Sequence, residues 1–176
     1  MHNNSFLQTI KSKAALLVLG VAIISLCSAT VFDRANFSGD WKLNEQKSDL
    51  GQFGARMAVR QMKIVQTADS INLDATAPSQ QGGEVTRKEK LTFDGKENEN
   101  VLSPQAKKKS TAKWSEDGQT LTVSSVILFD RNGEQMEIKV TDVWKLGDNG
   151  QTLTQQSNSS SSFGENSMKL VYEKAK

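Results

Sequence analysis

Residues 36–43 read NFSGDWKL, and their apolar and polar side chains alternate one by one. Phe37, Gly39, Trp41 and Leu43 lie on one face of an extended chain, and the residues between them lie on the other. This period of two is typical of a strand with one face in a core and one face in water. The stretch therefore predicts the first strand of an all-β domain.

The same alternation recurs along the chain, and we count about ten strands between residues 37 and 174. Turns rich in Gly, Asp and Asn separate the strands, and pairs such as Asp94–Gly95 predict hairpins. Residues 47–60 leave room for a short helical or irregular link. The serine-rich run at 157–162 indicates a solvated loop or a frayed strand.

Short connections between consecutive strands predict an antiparallel up-and-down meander of about 8–10 strands. An open meander exposes two unpaired edges, and closing it into a barrel hides both of them. A two-sheet β-sandwich is the alternative, because alternation alone does not separate the two architectures.

The N-terminal residues have the order basic, apolar, small. Lys11 and Lys13 precede an almost wholly apolar run at 14–26, which is too short to cross about 30 Å of hydrocarbon comfortably. Small residues follow up to Ala29, as in a secretory signal peptide. We expect a signal peptide over 1–29, a short linker over 30–36, a single domain over 37–176, and export to the periplasm or the extracellular space. A lipoprotein acylated at Cys27 and an uncleaved anchor are the alternatives.

The chain is short of catalytic and metal-binding side chains. His2 and Cys27 are its only histidine and cysteine, and both lie in the segment expected to be removed. Their loss excludes Ser-His-Asp and Cys-His catalysis, His/Cys zinc sites and disulfides. The sequence also lacks calcium-loop, phosphate-loop and dinucleotide-binding spacings. It therefore predicts no catalytic residues, no cofactor and no metal.

The charge balance argues against nucleic acid as a partner. The chain has 22 basic and 20 acidic residues, and removal of Lys11 and Lys13 leaves 20 of each. A neutral protein gains little from attraction to nucleic acid or to an anionic membrane. The strongest positive run, 107–109, predicts a solvated edge strand guarded by lysine. The oligomeric state is left open.

The first and last strands resemble those of the calycin barrels, which include the lipocalins and the fatty-acid-binding proteins. Gly39 and Trp41 match the Gly-x-Trp mark of the first strand, and 170–174 resembles the last strand of fatty-acid-binding proteins. The chain also resembles small secreted bacterial lipocalin-like proteins. The resemblance implies a lipocalin-like barrel with a possible internal cavity. It also implies that Trp41 packs across the barrel base, that Gly39 leaves room there, and that a basic side chain, here Lys174, stacks on Trp41.

The resemblance is incomplete at the point where the family holds a ligand carboxylate. Fatty-acid-binding proteins carry Arg-x-Tyr in the last strand, and this chain has Tyr172 but Leu170 in place of the arginine. The family's two-helix lid also has little room between residues 44 and 61. Fatty-acid binding in the family's manner is therefore not expected.

Polar residues share the apolar face of several predicted strands. Arg87 and Glu89 share the face of Val85 and Leu91, and Lys108 shares the face of Trp114. Such charges face solvent after a register shift, form an internal ion pair, or contact a ligand. We take Arg87, Lys108 and Tyr172 as candidate polar ligand contacts, and we take two residues of one apolar face as apolar contacts: Met136 and Ile138.

The sequence thus predicts an exported lipocalin-like protein that binds a small hydrophobic ligand in a barrel cavity. Arg87 and Tyr172 would supply the polar end of that cavity. The alternative is an envelope interaction or structural module with a packed barrel and no ligand. An enzyme using carboxylate, lysine or tyrosine chemistry is a third hypothesis, which the missing catalytic spacings disfavour.

Overall fold

A computed structural model describes residues 33–52, 54–79, 82–131 and 133–175. The expected signal peptide, with His2 and Cys27, lies outside these residues. Among the residues described, no helix has the length and apolar character needed to cross a membrane.

The described chain is almost entirely β-strand. Stretches in which apolar and polar residues alternate are separated by turns that glycine and asparagine favour. Its only longer link, at 44–60, holds a single helical turn. The elements are β1 (Gly39–Leu43), α1 (Gly54–Met57), β2 (Gln61–Gln66), β3 (Ser70–Pro78), β4 (Glu84–Thr92), β5 (Asn98–Ser103), β6 (Ala106–Trp114), β7 (Thr120–Arg131), β8 (Glu134–Gly147), a 3-10 turn (Asp148–Gly150), β9 (Thr152–Ser161) and β10 (Gly164–Lys174).

The ten strands form one antiparallel sheet in the order β4-β3-β2-β1-β10-β9-β8-β7-β6-β5. Pairing of β1 with β10 joins the two ends of the meander, with Trp41 opposite Lys174. The two edge strands, β4 and β5, then lie beside each other. The result is a nearly closed barrel, which confirms the predicted meander and excludes the sandwich.

The seam between β4 and β5 corrects the hairpin predicted at Asp94–Gly95. The turn is present, but the two strands share no backbone ladder. The Asn100 side chain bridges them instead: its Oδ1 accepts from the Lys90 N–H at 2.9 Å, and its Nδ2 donates to the Lys90 carbonyl at 3.2 Å. A side-chain amide spans a wider gap than a backbone hydrogen bond, so the barrel closes here through side chains.

Two further local predictions change in the structure. The lysine run at 107–109 does not form an edge, because β6 lies between β5 and β7. The serine-rich run is regular strand up to Ser161, with β8 on one side and β10 on the other. Pairing on both sides supplies backbone partners that the local sequence does not reveal.

An N-terminal segment, residues 33–38, fills the base of the barrel. The Phe37 ring stacks on Trp114, with centroids 5.6 Å apart, and meets the edge of Trp144 at 5.8 Å. Trp41 Nε1 donates to the Phe37 carbonyl at 2.9 Å. We call Phe37, Trp41, Trp114 and Trp144 the base cluster.

Polar contacts fix the same segment. The Ala35 N–H donates to the Gly118 carbonyl, and the Phe37 N–H donates to Gln66 Oε1, each at 2.9 Å. Gln66 Nε2 returns a hydrogen bond to the Ala35 carbonyl at 2.9 Å. The segment therefore docks by paired backbone groups as well as by burial of one ring.

Gly39 is required by its backbone and by a close neighbour. Its φ is +144°, and a Cβ at this position would lie 2.7 Å from Lys174 Cε. Lys174 Nζ lies 5.4 Å from the Trp41 ring centre, which confirms the expected cation–π contact. The room left by Gly39 is taken by the lysine stem beside the tryptophan.

Candidate functional site

The register between strands shows which side chains share the barrel interior. Lys108 lies opposite Ile127, and Ile127 lies opposite Ile138. Directly opposed residues point to the same side of a sheet. This row of side chains therefore faces inward, as the apolar alternation of β7 and β8 predicts.

The inward side chains are buried at one end of the barrel and partly exposed at the other. Leu121, Val123 and Trp144 are buried toward the base, whereas Ile127 and Ile138, further along the same strands, are only half-buried. Solvent therefore reaches the inside at the end opposite the base. We call the half-buried inward residues of β7 and β8 the mouth: Ile127, Phe129, Met136, Ile138 and Val140.

An ion pair lies inside the barrel next to the mouth. Lys108 Nζ lies 2.8 Å from Glu89 Oε2, and the two side chains are 16% and 9% exposed. The pair joins β6 to β4 across the short strand β5. A solvent-facing lysine, an internal ion pair and a ligand contact were the three alternatives for Lys108. The structure shows the internal ion pair, so the prediction of a solvated face is wrong for Lys108.

Arg87 is also directed across the seam. Its Nε donates to the Leu102 carbonyl of β5 at 3.3 Å. Deeper inside, the hydroxyls of Ser110 and Ser125 are buried and 2.9 Å apart. Each of these polar side chains thus binds another of them or the backbone.

Tyr172 is fully buried beneath the link that carries α1. Its hydroxyl donates to the Val59 carbonyl at 3.1 Å. Burial raises the pKa of Tyr172 well above its usual range; the charge of Asp142 acts in the same direction, and Arg60 opposes it weakly. Leu170, two residues earlier on β10, is buried as well.

We expect the raised pKa of Tyr172 to make folding sensitive to alkali. The unfolded phenol ionises near about pH 10, and the folded phenol ionises only at higher pH. This contribution to stability is therefore complete below about pH 10 and is lost as the pH rises further. Tyr172 is the only tyrosine, so phenolate absorbance at 295 nm reports it alone. At about pH 11 the Tyr172 phenol of the urea-unfolded protein is ionised, whereas the native protein should show no phenolate absorbance.

The Tyr172→Phe variant is the control for this titration. It loses the hydrogen bond to Val59, at a cost of about 1 kcal/mol at neutral pH. It should lose less additional stability than the wild type between neutral and alkaline pH. Native phenolate near pH 10 would show that solvent reaches the hydroxyl.

Sequence reasoning missed Asp142. This residue lies on the apolar face of β8 between Val140 and Trp144, opposite Val123 and Ser157. It is 6% exposed, and its Oδ1 has no hydrogen-bond partner among the described residues. The signal was present in the alternation itself, since a carboxylate occupies the inward position between the apolar Val140 and Trp144 on β8.

Open grooves on the outer face of the sheet are poorer candidates. One, of about 480 Å³, lies over β8, β9 and β10 and is lined by Lys139, Thr141, Asn158 and Ser160 among others. Its polar side chains stay hydrated, so it removes little apolar surface from water. In the described ranges, no group of three His, Cys, Asp or Glu side chains is placed to hold a metal.

The residues predicted to contact a ligand occupy different parts of the interior. Met136 and Ile138 belong to the mouth, and Lys108 lies directly beside it. Arg87 reaches toward β5, and Tyr172 is closed off beneath Val59. Their ligand contacts stay a prediction.

Comparison with known proteins supports the architecture and no closer relationship. The crystal structure of the zebrafish ileal bile acid-binding protein complexed with cholic acid superposes with a TM-score of 0.51. The likeness covers 79% of this chain and 98% of that one, at 17% identity. This chain has a calycin-type barrel. No family model and no curated protein sequence matches it.

The calycin-type barrel accounts for the resemblance of the Gly-x-Trp stretch and the last strand to the first and last strands of calycin barrels. Trp41 lies opposite Lys174, so the first and last strands are neighbours in this barrel. At 17% identity the likeness is evidence of fold alone. A function must therefore be argued from the interior of this chain.

Proposed function

We propose that this calycin-type barrel binds a small hydrophobic ligand through its mouth. The observation that carries the proposal is the row of apolar, inward and only half-buried side chains on β7 and β8. In a packed barrel these residues would be buried like Leu121 and Val123 at the other end. Covering them with a ligand yields about 25 cal/mol for each Å² removed from water.

The fold supports this proposal as an analogy. The zebrafish protein of similar fold was crystallised with cholic acid, a small molecule. A barrel with one filled end and one accessible end is a concave, mainly apolar site of the kind that small ligands occupy. Met136 and Ile138 would contact the apolar part of the ligand. Of the predicted polar contacts, Lys108 and Arg87 would have to give up their present acceptors, and Tyr172 is closed off beneath Val59.

Titration with a neutral, polarity-sensitive dye such as Nile red tests the proposal. The substitution Ile138→Trp should fill the mouth and weaken dye binding by at least about tenfold. Lys139→Trp is the matched control, because Lys139 is the next residue on β8 and is exposed. It should leave dye binding unchanged.

Two results would overturn ligand binding at the mouth. One is that no neutral apolar probe binds the wild type. The other is that both tryptophan variants weaken binding equally. Either result would favour an interaction or structural module with a filled barrel.

We also propose that the protein is exported, on the strength of the N-terminal pattern. The mass of the protein purified from its own host distinguishes the alternatives. Cleavage after Ala29 leaves Thr30 as the first residue, acylation adds lipid at Cys27, and an anchor keeps Met1. Retention of the whole segment without membrane association would contradict export.

A further inference from the structure

We propose that Asp142 anchors a cationic amino group of the ligand, and that the mouth holds the apolar part of the same molecule. This inference rests on the proposed function and names the ligand class: an amphipathic amine. It follows from the placement of one carboxylate, the partners of the neighbouring charges, and the apolar Leu170 beside Tyr172.

The placement of Asp142 follows from the strand. Val140 of the mouth precedes it on the inward face of β8, and Trp144 of the base cluster follows it. In register it lies between Val123 and Ser157. The carboxylate therefore lies inside the barrel, one inward position deeper than the mouth.

Asp142 lacks a compensating partner among the described residues. Its Oδ1 is buried without a hydrogen bond, and none of the ion pairs in the described ranges includes it. A carboxylate oxygen that is buried without a donor costs free energy. An unfilled acceptor of this kind marks a position where a ligand donor gains much by binding.

The inward cations beside the mouth already have acceptors. Lys108 binds Glu89 at 2.8 Å, and Arg87 donates to the Leu102 carbonyl at 3.3 Å. Bringing either to Asp142 would leave the present acceptor unpaired. Arg60, which acts on Tyr172 together with Asp142, is itself paired with Glu45. We therefore assign the cation for Asp142 to the ligand.

The opposite ligand polarity is disfavoured beside Tyr172. The buried Leu170 brings no charge to this part of β10, and the Tyr172 hydroxyl already donates to Val59. A second negative charge near Asp142 would also be repelled by it. Among the described residues, the buried side-chain polar atoms without a partner are Asp142 Oδ1 and two neutral indole donors, Trp114 Nε1 and Trp144 Nε1. The unfilled position that carries a charge is therefore an acceptor, which suits a cation.

Three probes with the same ten-carbon chain test this inference: decylamine, decanol and decanoate. Each is titrated calorimetrically into the mature protein at pH 7, below its micelle concentration. Decylamine should bind at least about tenfold more tightly than either of the others, since hydrogen bonds to charged groups are stronger than neutral ones. Asp142→Asn should abolish that preference.

Glu137→Gln is the matched control, because Glu137 lies on the same strand and is exposed. It should keep the full preference for the amine. The ratio of the wild-type affinities for decylamine and decanol does not depend on the folding of any variant. The wild-type measurement therefore tests the inference even if the Asp142→Asn variant does not fold.

The outcomes separate this inference from the function on which it rests. Equal binding of decylamine and decanol would overturn the role of Asp142 and leave the hydrophobic site standing, with water as the partner of the carboxylate. Preference for the amine that survives Asp142→Asn would also overturn it. Failure of all three probes to bind would overturn the proposed function itself.

Discussion

Phe37→Ala should lower the free energy of unfolding by about 3 to 5 kcal/mol. Phe37 is 0% exposed, stacks on Trp114 and meets the edge of Trp144, although it precedes the first strand. Its removal leaves a cavity among rigid tryptophan rings that have little freedom to collapse. Urea denaturation followed by tryptophan fluorescence measures the change, because two of the three tryptophans contact this ring.

Phe163→Ala is the matched control for this prediction. Phe163 lies in the β9–β10 turn and is 64% exposed, so the same deletion removes no core contact. Its unfolding midpoint should stay close to that of the wild type. If both variants unfold at the wild-type midpoint, the N-terminal segment does not hold the base of the barrel closed.

Breaking the internal ion pair should have the second large effect. Lys108→Met leaves the nearly buried Glu89 carboxylate without its partner, and we expect a loss of about 3 kcal/mol, as for other buried pairs. The double variant Lys108→Met with Glu89→Leu removes both charges from the interior. It should recover most of the loss, because an apolar pair of similar volume replaces an ion pair with little net cost.

Lys107→Met serves as the control for the pair. Lys107 is the preceding residue on β6, points outward and pairs with the exposed Glu99. Exposed pairs contribute little, so its unfolding midpoint should not move. Equal effects of the two lysine substitutions, or a double variant as unstable as the single one, would show that the interior pair is not energetically coupled.

The strand pattern was predictable because alternation is a local property. Trp41 and Leu43 show the inward face of β1, and the turns mark where each strand ends. Closure of the meander followed from the need to hide two edges, and pairing of Trp41 with Lys174 confirms it. Each of these inferences needs only the spacing of side chains along an extended backbone.

The seam and the order of edges were not predictable in the same way. Asp94–Gly95 forms a turn that looks like any other hairpin turn, yet the strands it joins are bridged by Asn100. Which strands become the two edges depends on how far the whole sheet curls. The sequence therefore predicts an edge strand at the lysines of β6, whereas the two edge strands are β4 and β5.

The candidate site shows the same division. The sequence alone determined that Met136, Ile138 and Trp144 share a face of one strand. It also determined that a leucine, not an arginine, stands two residues before Tyr172, and that histidine and cysteine occur only in the first 27 residues. Only the tertiary structure decided that Lys108 pairs with Glu89, that one end of the barrel is filled by Phe37, and that Asp142 is buried without a partner. The reason is physical: alternation fixes the side of the strand on which a residue lies, whereas the pairing of a charge depends on strands brought together across the barrel by closure.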